Sequence, residues 1–208
     1  MSDLVVLVAD KQMEAAVRGI LSRNPLALAV STFKVETILV HPKRDPGCRT
    51  DAASLLRSYQ DVVTHALVVL DYEGSGAGKT PVEEMETDVE RDLLRSGWGE
   101  RTCCIAIDPE LEAWVWVDSP EVGNALRWNR PESVQDWLQD HGYWEEEAPK
   151  PIDPKRAMER VLEEQKEPRS SSIYREIADT VSLQNCEDRA FQKLLATLRE
   201  WFPPDWER

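Results

Sequence analysis

The chain opens with an apolar run that leads directly into a helical pattern. Residues 4–8 are continuously apolar and rich in β-branched side chains, which is typical of a buried strand. The next apolar positions follow the spacing i, i+3, i+4, i+7 and i+8: Met13, Ala16, Val17, Ile20 and Leu21. Because this spacing forms one apolar stripe along a helix, the pattern predicts a strand followed by an amphipathic helix.

Strand-like and helical patterns continue to alternate up to about residue 118. They predict, in order, a strand region over 26–40 that breaks near Ser31 and Thr32, a helix over 55–62, a strand over 66–70, a helix over 82–93 and a strand over 103–107. Strands that are buried on both faces and alternate with helices predict an α/β fold, with a mostly parallel sheet flanked by helices. In such folds the functional groups lie at the carboxyl ends of the strands.

Beyond residue 118 the strand signal fades, and the chain becomes acidic, helical and interrupted by prolines. The strongest helix there has four apolar residues on one face: Phe191, Leu194, Leu195 and Leu198. Prolines at positions 203 and 204 stop this helix. We therefore expect an α/β core over residues 1–118 and a helical extension over residues 119–208, packed together as one compact unit.

Composition limits the classes of protein to which the chain can belong. Its 208 residues contain no run that approaches the roughly 18 apolar residues of a membrane helix, and no basic segment precedes the first apolar run. These features predict a soluble, cytoplasmic protein with no membrane partner. The four cysteines form no CxxC pair, which argues against a disulfide framework and against a zinc site.

The formal net charge of −14 argues against a protein that binds nucleic acid through electrostatics alone, because Lys and Arg contacts with phosphates supply most of the non-specific affinity. Residues 1–60, however, carry eight Lys and Arg against six Asp and Glu. A polyanion should therefore meet this first third of the chain, or a partner subunit must supply positive surface. Lys43, Arg44 and Arg49 are the candidate nucleic-acid contacts, although solvated loop charges are the commoner case.

The glycine-rich segment after the strand over 66–70 admits two interpretations, of which the first is a phosphate-binding loop. Gly78-Lys79-Thr80 fits the end of the P-loop motif, but Glu73 stands where that motif begins with glycine. Thr80-Pro81-Val82-Glu83 also matches a helix-capping box, which would start the helix after the lysine. A P-loop nucleotide binder therefore remains a third hypothesis.

The second interpretation is a metal site. Asp71 and Glu73 lie two residues apart at the tip of a strand, so their side chains point to the same side of the chain. Mg²⁺, or Mn²⁺ in its place, binds one or two carboxylates and keeps several waters, so this sparse pair is adequate. Glu112 follows the next strand and is within reach. The simpler alternative is that acids commonly end strands and start helices.

Five short segments, spread over most of the chain, form a recognisable pattern when they are taken together in this order. In order they are the strand and helix over 5–21, the acidic strand tip at 67–74, Glu112-Ala113-Trp114 followed by Asp118, Asp153-Pro154-Lys155, and the final helix from Cys186 to Leu198. Together they resemble a Toprim-like family of bacterial proteins found in anti-phage defence gene clusters. The resemblance implies a Toprim fold, a Rossmann-like α/β sheet whose acidic strand tip holds Mg²⁺ for phosphodiester chemistry.

Within this resemblance, Asp71 and Glu73 match the metal-binding tip. Where the family has Glu-Gly after the first strand, this chain has Ala9-Asp10, so Asp10 becomes the candidate general acid or base. Glu112 is expected to support the metal or a water, which makes it the second candidate catalytic residue.

Two hypotheses about function follow. The first is a Mg²⁺-dependent, Toprim-like nuclease or phosphodiester-cleaving subunit of an anti-phage defence system. It would act on nucleic acid, with DNA favoured over RNA, and with help from partner subunits; homo-oligomerisation is left open. The second is a non-catalytic assembly or sensor subunit of such a system, with a degenerate Toprim site.

Overall fold

The computed structural model of the protein describes residues 2–182 and 186–204, in which four parallel strands form one sheet. The strands are β1 (Ser2–Val8), β2 (Val35–Val40), β3 (Val63–Asp71) and β4 (Thr102–Ile107). Their order across the sheet is β2-β1-β3-β4. The predicted α/β class with a parallel, helix-flanked sheet is therefore confirmed.

Helices cover both faces of this sheet and fill the C-terminal half. They are α1 (Lys11–Leu21), α2 (Pro25–Leu28), α3 (Arg44–Leu56), α4 (Val82–Leu93), α5 (Pro120–Ala125), α6 (Val134–Asp140), α7 (Pro154–Gln165), α8 (Ser171–Thr180) and α9 (Arg189–Trp201). In the C-terminal half, α8 packs along α1 and α9 packs against β4. One hydrophobic core therefore includes the strands and the apolar faces of the C-terminal helices.

The carboxyl ends of the strands lie level with one another, and this arrangement positions the site described below. Val8 at the end of β1 is in register with Val40 of β2 and with Val69 of β3. Asp71 at the end of β3 is in register with Ile107 at the end of β4. The segments that follow the four strands therefore meet at one edge of the sheet.

Two elements differ from their predicted form. The strand predicted over residues 26–40 is correct only in its second half, β2. Before it the chain forms α2, because the Asn24 side chain caps that helix and Pro25 suits its first turn. The helix predicted over residues 55–62 begins earlier, as α3, and ends in a 3₁₀ turn at Arg57–Tyr59.

The outer edge of β4 is closed by charged side chains instead of a further strand. These side chains come from α4 and α9: Glu86, Glu90, Arg189 and Lys193. The N–H of Ala106 donates to Glu86 at 2.7 Å, and the Ala106 carbonyl accepts from Arg189 at 2.8 Å. The Cys104 carbonyl accepts from Lys193 at 2.8 Å. Backbone groups at a sheet edge need partners, and four ionised side chains supply them here.

Aromatic residues consolidate the C-terminal half. Trp114, Trp116 and Trp137 are buried, and Trp128 is half-buried. The indole N–H of Trp116 donates to the Pro154 carbonyl at 2.8 Å and so ties α7 to the segment after β4.

Within the residues that the structure describes, no helix is both long enough and apolar enough to cross a membrane.

Candidate functional site

A cleft of about 940 Å³ opens at the carboxyl edge of the sheet. It lies between the start of α3, the end of β3, the segment after β4 and the start of α7. The acidic side chains in its lining include Asp45, Asp71, Glu73 and Glu110. Parallel α/β sheets bind their ligands at this edge. A far smaller cavity of about 40 Å³ between α1 and α8 is almost wholly apolar and is a gap in core packing.

Asp71, the last residue of β3, lies in the floor of this cleft. Its backbone N–H donates to Asp45 Oδ1 at 2.8 Å, while its own Oδ1 atom is buried and has no hydrogen-bond partner. Burial raises the pKa of Asp71 well above its ordinary value, and the neighbouring carboxylates of Asp45 and Glu112 raise it further. A buried carboxylate oxygen without a donor is costly, so this atom is suited to a cation.

Asp45 is the carboxylate that faces Asp71, and the sequence analysis did not single it out. It lies in the first turn of α3 and is only 8% exposed. The segment before it is tightly arranged, because the N–H of Lys43 donates to His41 Nδ1 at 3.0 Å and Arg44 has a left-handed φ of 54°. Burial raises the pKa of Asp45, and the hydrogen bond from the N–H of Asp71 offsets part of this rise.

Glu73 and Glu110 add to the acidic lining from two neighbouring segments, and Asp153 and Glu159 add to it at α7. Glu73 follows β3 in a 3₁₀ turn, is exposed, and is anchored by its N–H to the Pro109 carbonyl at 3.1 Å. Glu110 follows β4 and pairs with Lys155 at 2.7 Å. Asp71 and Glu73, the predicted metal ligands, therefore line the same cleft.

Asp10, the candidate general acid or base, is held in a different way. It caps α1, with Oδ1 accepting the N–H of Met13 at 2.9 Å, and its Oδ2 accepts from Arg44 at 2.8 Å. Both oxygens are therefore engaged, and Asp10 is not among the residues that line the cleft, although its partner Arg44 is. Asp10 would have to break its pair with Arg44 before it could exchange a proton with a substrate, and its catalytic role stays a prediction.

Glu112, the second candidate catalytic residue, is buried behind the cleft. Its carboxylate is paired with Arg169 and accepts from the Tyr174 hydroxyl at 2.5 Å. Burial raises the pKa of the Tyr174 hydroxyl, and the charge of Glu112 adds to this shift. A carboxylate that is bonded in this way joins α8 to the segment after β4, so the arrangement favours a structural role over support of a metal or water.

Basic residues stand on two sides of the cleft. Lys43 and Arg44 line the α3 side, whereas Arg49 turns away from it and donates to the Ser75 carbonyl at 2.8 Å. The opposite side carries Lys155 and Arg156 in the first turn of α7, and the sequence analysis did not assign these two to the site. A chain with net charge −14 thus brings four cationic side chains to one acidic cleft.

The glycine-rich segment does not form a phosphate cradle. The helix after it begins at Val82, so Lys79 and Thr80 precede the first turn in which a P-loop needs them. The hydroxyl of Tyr72 donates to the Thr80 carbonyl at 2.6 Å and folds the segment back onto β3. The predicted capping by Thr80 is wrong, because Pro81 takes the cap position without a side-chain hydrogen bond.

Comparison with known proteins adds no assignment. A scan against family models, a search of curated proteins and a search of solved structures each returned no match for this chain. Among residues 2–182 and 186–204, no group of three or more His, Cys, Asp or Glu side chains is arranged to hold a metal ion. Two carboxylates with waters suffice for Mg²⁺, so the buried Oδ1 of Asp71 fits that ion without a larger ligand set.

Proposed function

We propose that the protein is a Mg²⁺-dependent, Toprim-like phosphodiester-cleaving subunit. The observation that carries this proposal is the Oδ1 atom of Asp71, which is buried without a partner in a cleft lined by both acidic and basic side chains. Buried carboxylates normally pair with cationic side chains or coordinate metals. No cationic side chain within the described residues forms an ion pair with Asp71.

The residues of the cleft divide into two functional groups. Asp71 and Glu73 would hold the cation, which when bound supplies a Lewis acid for a phosphodiester oxygen. Lys43 and Arg44 on one side, with Lys155 and Arg156 on the other, would hold the flanking phosphates of a nucleic acid strand. This division requires both acidic and basic side chains in the cleft, because carboxylates alone would repel a nucleic acid strand.

The acidic surface outside the cleft supports the participation of partner subunits. With a net charge of −14, the chain alone has little non-specific affinity for DNA or RNA. Partner subunits would then supply the positive surface that delivers nucleic acid, with DNA favoured over RNA. The role in anti-phage defence rests on the family resemblance described in the sequence analysis.

A second candidate function is a non-catalytic assembly or sensor subunit. One observation favours it: Asp10 has both carboxylate oxygens engaged, by the Met13 N–H and by Arg44. A metal site without an available base would bind a phosphate group while accelerating its hydrolysis poorly.

The test is a cleavage assay on labelled single- and double-stranded DNA and RNA with Mg²⁺ or Mn²⁺. Asp71→Asn should reduce cleavage to background, whereas Asp88→Asn should retain it, because Asp88 is an exposed acid on α4 outside the cleft. Full activity of Asp71→Asn would refute the assignment. Absence of cleavage by the wild type, alone and with co-purified partners, would favour the assembly or sensor subunit.

A further inference from the structure

Asp45 and Asp71 lie at the base of the cleft, and no cationic side chain of the described residues forms an ion pair with either carboxylate, although the charge of Arg44 acts on Asp45 from a distance. Asp45 Oδ1 accepts the backbone N–H of Asp71 at 2.8 Å, which holds the Asp45 carboxylate at the end of β3, where its charge raises the pKa of Asp71. Both line the cleft, Asp45 is 8% exposed, and the Oδ1 atom of Asp71 is buried without a partner. Two carboxylates in such a place repel each other unless a proton or a cation lies between them.

The fold holds Asp45 in this position through several local constraints. The His41 ring accepts the N–H of Lys43 and turns the chain sharply between β2 and α3. At Gly74 an added Cβ atom would lie 2.8 Å from Asp45 Oδ2, so the segment after β3 approaches the carboxylate as closely as glycine allows. Both contacts bring the first turn of α3 to the end of β3.

The favourable helix dipole does not by itself explain a buried acid here. An acid in a first turn gains that stabilisation while it remains in water, as Glu83 does in the first turn of α4 with a 68% exposed side chain. Asp45 instead lies against a second carboxylate, where the dipole is opposed by burial and by like charge. The N–H of Asp71 satisfies one oxygen of Asp45, but no donor satisfies Oδ1 of Asp71, and an ion shared by the two carboxylates would account for both groups.

We propose that Asp45 is a ligand of the same divalent cation as Asp71, so that the ion joins the first turn of α3 to the end of β3. This inference rests on the proposed function, because it deepens the description of the same site. It gives the ion the buried Asp45 carboxylate and the buried Oδ1 atom of Asp71, while the exposed Glu73 would meet the ion through water. Mg²⁺ is bound in this manner, through one or two carboxylates and several waters.

The test measures Mn²⁺ binding by calorimetry and by the Mn²⁺-dependent rise in melting temperature, without reference to activity. Asp45→Asn is the informative variant, since its side-chain oxygen can still accept the N–H of Asp71. Asp51→Asn is the matched control, because Asp51 lies on the same helix, is 42% exposed and outside the cleft, and has only long contacts, to Lys43 at 3.7 Å and to His41 at 3.8 Å. Circular dichroism in EDTA verifies that each variant is folded.

We expect Asp45→Asn to weaken Mn²⁺ binding by about 10–100-fold and to lose most of the Mn²⁺-dependent rise in melting temperature. In EDTA its melting temperature should equal or exceed that of the wild type, and Asp51→Asn should bind Mn²⁺ like the wild type. Wild-type affinity in Asp45→Asn beside lost affinity in Asp71→Asn would overturn the role of Asp45 alone. A wild-type protein that binds no Mn²⁺ would overturn this inference together with the proposed function.

Discussion

Two carboxylates near the sheet have opposite surroundings, the buried Glu86 and the half-buried Asp71, whose Oδ1 atom is buried. Glu86 is 2% exposed, accepts the N–H of Ala106, and forms ion pairs with Arg189 at 2.9 Å and Lys193 at 3.1 Å. Asp71 has acidic neighbours and a buried oxygen atom without a partner. The comparison teaches that burial of an acid alone does not identify a site, whereas burial without compensating charge does.

The two regions also differ in how their acidic side chains affect the stability of the fold. Around Glu86, the carboxylate closes the edge of β4 and every charge has a partner, so the cluster is a structural element. Around Asp71, we expect the acidic groups of the cleft to destabilise the fold until a cation binds. Substitutions in the two regions should therefore change the free energy of unfolding in opposite directions, with the largest effect at Glu86 and the smallest at Glu73.

Glu86→Ala should produce the largest loss of stability. It removes the carboxylate that Arg189 and Lys193 share, which leaves them only their second partners, Glu83 at 3.7 Å and Glu90 at 3.1 Å, and it removes the acceptor of the Ala106 N–H. Breaking a buried pair from one side costs about 3–5 kcal/mol, which urea unfolding will measure. Glu83→Ala, which removes an exposed neighbour of Arg189, should change the free energy of unfolding by about 0.5 kcal/mol or less. Equal effects of both substitutions would contradict the description of this cluster.

Asp71→Asn should have the opposite sign when metal is absent. A neutral amide costs about 1–3 kcal/mol to bury without a partner, and an ionised carboxylate costs more. We therefore expect the free energy of unfolding in EDTA to rise, on the order of 1 kcal/mol. A loss of stability comparable with that of Glu86→Ala would show that Asp71 is a structural acid and would remove the distinction between the two regions.

The stabilising effect of Asp71→Asn should depend on pH. Burial and nearby carboxylates raise the pKa of Asp71 in the folded state, so the unfolded chain loses this proton first as the pH rises. The contribution of Asp71 to wild-type stability is therefore neutral below about pH 4 and becomes unfavourable above it. The difference in unfolding free energy, variant minus wild type in EDTA, should grow with pH. A difference that shrinks over that range would contradict the raised pKa.

Glu73→Gln should have the smallest effect on stability. Glu73 lines the same cleft but is exposed, so water already solvates its charge. We expect a change of about 0.5 kcal/mol or less in unfolding free energy in EDTA. Its Mn²⁺ affinity, measured by calorimetry, should fall less than that of Asp71→Asn. A larger loss of affinity in Glu73→Gln would show that Glu73, at the exposed mouth of the cleft, is the more important ligand.

Local sequence patterns were sufficient to predict most strands of the sheet and the strongest helices. The apolar runs that became β1, β3 and β4 are buried on both faces, and such runs are readable without tertiary information. The apolar stripes of α4 and α9 were equally clear. The strand predicted from residue 26 is wrong over residues 26–28, because their apolar character hid the cap at Asn24 and the proline after it, which start α2.

The site was less predictable, because its decisive contacts join distant parts of the chain. The pair formed by Asp45 and Asp71 spans 26 positions, and the contact between Glu112 and Arg169 spans 57. No local periodicity shows that Arg169 neutralises Glu112 or that Asp45 turns inward after two basic residues. The acid after a buried strand was readable at Asp71, since strand ends meet at one edge of a parallel sheet.

The measurement that tests the central claim most directly is a calorimetric titration of Mn²⁺ into the wild type and into Asp71→Asn, both freed of metal beforehand. If the cleft is a cation site, the wild type will bind one ion and Asp71→Asn will show no saturable heat at the same concentrations. Identical titration curves for the two proteins, or no heat from either, would contradict the claim that the unpartnered oxygen of Asp71 marks a metal site.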